Sequence, residues 1–90
     1  MKREDVYKLI DGERDYQDKM GSDRTDGSDK AVGDYLTLLR SLCYKADMAY
    51  YDNAGNNSAL DNIRKLAAVA VRCMERYDTP ARQVPLKSED

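Results

Sequence analysis

The chain has 90 residues, 41% of them hydrophobic, with 15 Lys and Arg against 17 Asp and Glu, so its formal net charge is −2. That length holds one domain with a marginal core, because a chain this small buries only about 60–65% of its unfolded surface and leans on a disulfide, a metal or further copies for the rest. The slightly acidic balance argues against a duplex nucleic-acid partner, and the absence of histidine removes the usual general base at neutral pH.

The charged start Met1-Lys2-Arg3-Glu4-Asp5 is followed by no long apolar run, which predicts no signal peptide, no membrane span and a cytoplasmic location. A first helix is expected over about 3–20. Val6, Leu9, Ile10, Tyr16 and Met20 form its apolar stripe, with Glu13 and Gln17 beside it. Gly12 interrupts that helix at a cost of about 1 kcal/mol relative to alanine. It suggests close helix packing, a bend or the approach of a ligand. Residues 21–29 are rich in Gly, Ser, Asp and Thr and read as a loop.

Ser28 or Asp29 is the expected cap of a second helix over about 29–51. Val32, Tyr35, Leu36, Leu39, Leu42, Cys43, Ala46 and Ala49 make its apolar face, broadened by Leu38 and Met48. Asp52-Asn53-Ala54-Gly55-Asn56-Asn57 reads as a break, and a third helix follows over about 58–77, with Asp61 in its first turn. Ile63, Leu66, Ala67, Ala70, Val71 and Met74 fall on one stripe of this helix, widened by Ala68, Val69 and Cys73. A helix apolar around so much of its girth needs burial on more than one side, and a second copy of the chain is the expected source. The domain therefore spans 1–77, and the Pro-containing tail 78–90 is expected to be irregular. The fold class is all-α, a three-helix bundle completed by homo-oligomerisation as a homodimer or tetramer. Cys43 and Cys73 are expected to be buried free thiols.

The chemistry is set first by what is missing. No Ser-His or Cys-His pair, no common zinc site and no phosphate-binding glycine loop after a strand is present in the sequence. Carboxylates remain, but a magnesium cage needs them at i, i+3 or i, i+4 on facing helices. Asp34 is followed at those positions by Thr37 and Leu38, and Asp61 by Arg64 and Lys65. A lysine one turn from a carboxylate neutralises it.

The run Glu13-Arg14-Asp15-Tyr16-Gln17-Asp18-Lys19-Met20-Gly21 resembles the E-R-x-x-Q-D-x-x-W-G opening of many small phage and bacterial proteins. Residues Ile63 to Glu75 resemble their closing helix, which reads like L-V-Q-V-A-A-V-A-V-A-W-I-E. Both motifs belong to the MazG-like, all-α nucleoside triphosphate pyrophosphatase group, whose four-helix arrangement is built by oligomerisation. Gly33-Asp34-Tyr35-Leu36 sits where that group carries its first acidic helix. Of the group's E-E-x-x-E motif this chain keeps only Asp34. Where the group has E-x-x-D, it carries Asn62 and Lys65, and Met20 replaces the tryptophan.

The resemblance thus implies the scaffold and a pocket without magnesium-dependent cleavage: no enzyme, no metal and no cofactor. With the polar edges of the first and third helices turned to one cleft, Arg14, Gln17, Arg64, Lys65 and Arg72 are the candidates to line it and to hold a nucleotide or other phosphate-bearing ligand, with Tyr16 against the base. In a phage-encoded protein, that means sequestration of a host defence signal in the host cytoplasm. An interaction module without ligand is the alternative. A residual pyrophosphohydrolase using Glu13, Asp18, Asp34 and Asp61 is a third.

Overall fold

The computed structural model describes residues 1–25 and 30–83, with the side chains of residues 21–25, 53 and 54 outside the description. Helix α1 spans Arg3–Thr25, α2 spans Val32–Ala49, a π-helical turn covers Tyr50–Ala54 and α3 spans Gly55–Tyr77. Among the described residues the chain is all-helical. Both α1 and α2 pack on α3.

The helix limits differ from the sequence reading in three places. Helix α1 runs through Thr25, so Gly21–Thr25 is helical and not loop. Those five residues include no proline, and a glycine or aspartate disfavours helix without forbidding it. The expected caps Ser28 and Asp29 lie outside the described residues. Helix α2 instead starts after Ala31, whose N–H donates to the Asp34 carboxylate at 2.8 Å. The expected break at 52–57 is a π-helical turn and a single corner at Gly55, which sits at φ +74° and ψ −169°. That backbone region is open to glycine and strained for other residues. The end of α3 agrees with expectation: Asp78 turns left-handed at φ 52°, and Pro80 follows. Residues 79–83 carry no helix, and residues 84–90 of the tail lie outside the description.

The buried core is small: Tyr35 from α2, and Ala59, Ala68 and Val69 from α3. Tyr35 is 1% exposed and meets the Tyr77 ring edge-on, with centroids 6.4 Å apart. The Tyr77 hydroxyl donates to the Lys30 carbonyl, which ties the start of α2 to the end of α3. Helix α1 contributes no apolar residue to this buried set. Among its described side chains the buried one is Arg14.

Much of the expected apolar surface faces outward. On α3 the stripe residues Ile63 and Met74 are exposed, while Ala68 and Val69, read as its margin, are buried. On α2, Val32, Leu36 and Met48 are exposed. Both cysteines are free, but Cys43 is exposed and Cys73 half-buried, so the expectation of two buried thiols is corrected. No helix among the described residues is long and apolar enough to cross a membrane.

Candidate functional site

The polar residues of the sequence reading converge on the α1–α3 contact, in two groups. Asp61 and Lys65 lie one turn apart on α3, with Arg64 between them. Arg64 donates from Nε to Glu13 of α1 at 2.9 Å and from Nη2 to Asp61 at 2.6 Å. Lys65 Nζ lies 3.3 Å from the other Asp61 oxygen. The result is an alternating chain, Glu13–Arg64–Asp61–Lys65, with two negative and two positive charges. The hydrogen bond from Arg64, then that from Lys65, holds the Asp61 carboxyl below its usual range. Arg64 is held protonated by Glu13 and then Asp61.

Beside this chain lies an open cleft of about 540 Å³, lined by Leu9, Gly12, Glu13, Tyr16, Asp61, Arg64 and Lys65. Tyr16 stands exposed on its wall. A Cβ built on Gly12 meets nothing within 4 Å, so this glycine serves no close packing inside the chain. It leaves a stretch of bare helix surface in the cleft lining.

The second group sits further along α3. Arg14 is 7% exposed and commits four of its five N–H donors to carboxylates. It donates to Glu75 from Nε at 2.9 Å and Nη2 at 3.2 Å, and to Asp18 from Nη1 at 2.9 Å and Nη2 at 3.2 Å. The Arg14 guanidinium holds the Glu75 carboxyl below its usual range, while Glu75, against the opposing cost of burial, pushes Arg14 further toward the charged form. Arg14 shares a small groove of about 230 Å³ with Tyr35, Arg72, Glu75 and Arg76.

Of the six candidate ligand residues, Tyr16, Arg64 and Lys65 therefore share one cleft, and Arg14 and Arg72 share another groove. Gln17 lies between them and donates to the Lys65 carbonyl at 3.3 Å. Its Oε1 and the Tyr35 hydroxyl are buried with no partner among the described residues. Of the carboxylates of the residual-enzyme reading, Glu13 and Asp61 meet across Arg64, whereas Asp18 bonds Arg14 and Asp34 caps α2. Among the described residues, no three acidic or cysteine side chains gather closely enough to hold a metal ion. The neutralisation of Asp61 by Arg64 and Lys65 follows from their i, i+3 and i, i+4 spacing. The pairings of Arg14 with Glu75 and of Arg64 with Glu13 span 61 and 51 positions, and no local signal announces them. No family model, curated protein or solved structure matches this chain.

Proposed function

We propose that the chain is a non-catalytic helical protein, MazG-like in kind, that holds a phosphate-bearing ligand of the nucleotide type in the α1–α3 cleft. One observation carries this reading. Every acid bordering the cleft is bonded to a cation, while the cations keep donors in reserve: Arg64 spends only Nε and Nη2, and Lys65 meets a single carboxylate. The unused guanidinium Nη1 and ammonium hydrogens are the groups a phosphate oxygen takes. Tyr16 and the bare face at Gly12 offer a surface for a planar base. Release is by mass action, and the ligand leaves uncut, as a sequestering protein requires.

The test is calorimetric titration with ATP in EDTA and again with magnesium, with phosphate and pyrophosphate release followed in parallel. Binding without magnesium and without release is expected. Tyr16→Ala and Lys65→Gln should each weaken binding by roughly tenfold, about 1.4 kcal/mol. Magnesium-dependent release of pyrophosphate would overturn the reading in favour of an enzyme.

A second reading, that the chain is a self-associating module, is favoured by a separate observation. Val6, Leu9, Leu60, Ile63 and Met74 are all exposed on a chain whose buried apolar set is Tyr35, Ala59, Ala68 and Val69. The two readings are compatible, because the resemblance to the MazG-like group implies both a pocket and an oligomer.

A further inference from the structure

We infer that the small groove around Tyr35 is a separate anion site, built for a compact oxyanion of the phosphate class. It shares no lining residue with the α1–α3 cleft and does not depend on the nucleotide reading.

The groove has a volume of about 230 Å³ and is lined by Arg14, Tyr35, Arg72, Glu75 and Arg76. Tyr35 lines it while only 1% exposed, so its ring lies at the base. The hydroxyl of that ring is buried and bonds nothing among the described residues. A hydroxyl in that position has given up water and regained nothing, which folded chains rarely tolerate without a reason.

The side chains of the lining offer the hydroxyl hydrogen no idle acceptor. An arginine carries five N–H donors and cannot accept. Arg72 and Arg76 have contacts of their own within the chain, but neither can take a hydrogen from Tyr35. Glu75 is the acceptor of the lining, and both of its oxygens already bond Arg14. The groove is therefore rich in donors and poor in acceptors, and an acceptor is what completes it. A water accepts there but brings two hydrogens that need acceptors in turn. A phosphate accepts from several donors at once, and its oxygen edge matches a guanidinium fork.

Sign and size agree with that choice. Among these groups three arginines face two carboxylates, Glu75 and the Asp18 that bonds Arg14, so the sign is positive. A volume of 230 Å³ falls below the roughly 300–1,000 Å³ of sites for drug-sized ligands, which excludes a whole nucleotide. The donor is also fixed before the ion arrives. Tyr35 meets Tyr77 edge-on, and Tyr77 is anchored by its own hydroxyl to the Lys30 carbonyl. The lining comes from all three helices, Arg14 from α1, Tyr35 from α2 and the rest from α3, so a bound ion ties them together.

Thermal denaturation and calorimetric titration of the full chain with sodium phosphate at constant ionic strength test this. Phosphate should raise the melting temperature of the parent. Tyr35→Phe keeps the ring and removes an unpaired hydroxyl, so without phosphate it should melt no lower than the parent. Its affinity for phosphate should fall about tenfold, and its affinity for ATP in the α1–α3 cleft should stay as in the parent. A parent that millimolar phosphate neither binds nor stabilises overturns the site. Equal phosphate affinity in the parent and Tyr35→Phe also overturns it, since the ion is then held by surface charge alone. So does a Tyr35→Phe chain that melts well below the parent without phosphate, because the hydroxyl then has a partner inside the chain. A phosphate response lost in Lys65→Gln and kept in Tyr35→Phe moves the ion to the α1–α3 cleft, which overturns the groove site and leaves the nucleotide reading standing. Glycerol phosphate, titrated in the same way, separates the sources. Tighter binding than free phosphate marks the phosphate end of a larger molecule, weaker binding marks the free ion, and either supports the site.

Discussion

Gly12 stands inside a helix and Gly55 at the corner before α3, and the structure gives them opposite responses to alanine. At Gly12 a Cβ meets nothing within 4 Å, and no left-handed backbone is involved. Gly12→Ala should therefore stabilise the chain by about 0.5–1 kcal/mol through the unfolded state, read by urea denaturation. At Gly55 a Cβ also meets nothing, but φ is +74°. Gly55→Ala should cost about 1–3 kcal/mol from backbone strain alone. Arg14 shows where residue-level reading stopped. Its type suggested a fork for phosphate, but its donors are taken by Glu75, which lies 61 positions away in the chain. Arg64 teaches a similar lesson: replacing it with glutamate to remove anion binding would place three carboxylates side by side with Glu13 and Asp61, and would disturb the α1–α3 contact itself. Lys65→Gln is the cleaner change.

At the scale of elements, α1 is held differently from its neighbours. Helices α2 and α3 share the buried residues, whereas α1 reaches α3 through Arg14–Glu75, Glu13–Arg64 and the Gln17 amide. Docking by charge makes α1 sensitive to acid. Above pH 4.5, the ordinary glutamate value, Glu75 is ionised folded and unfolded, and its contribution is whole. As the pH falls the unfolded chain takes the proton first, so stability drops and is lost beneath the lowered folded value. Asp61 follows the same course from its ordinary 3.8. Hydrogen exchange should then show α1 amides opening before those of α2 and α3 as the pH falls from 5 to 3. Arg14→Met should make that acid dependence shallower, since it removes the first cause of the Glu75 shift. The three helices themselves were legible, because their apolar residues recur at helical spacing. The π-helical turn and the helical 21–25 segment were not. Composition marks a segment as turn-prone, while one glycine with positive φ suffices to make the corner.

For the whole molecule, the pattern predicted more apolar surface than one chain can cover, and that excess is now visible as side chains turned outward on α1, α2 and α3. An open apolar groove lies between the first and third helices. On the self-association reading, folding is tied to association and thermal stability depends on concentration. A hundredfold rise in protein is worth about 2.7 kcal/mol per dimer, so the melting temperature should climb by roughly 5–10 °C between 1 and 100 µM.

The edge-on pair of Tyr35 and Tyr77 has a practical use as well. The chain lacks tryptophan, so its near-ultraviolet optical activity comes from phenol rings, and this pair holds one ring sealed at 1% exposure against another anchored by its own hydroxyl. Rings fixed in a chiral setting give strong signals there, while freely rotating ones give almost none. The hairpin of α2 and α3 thus carries its own spectroscopic gauge.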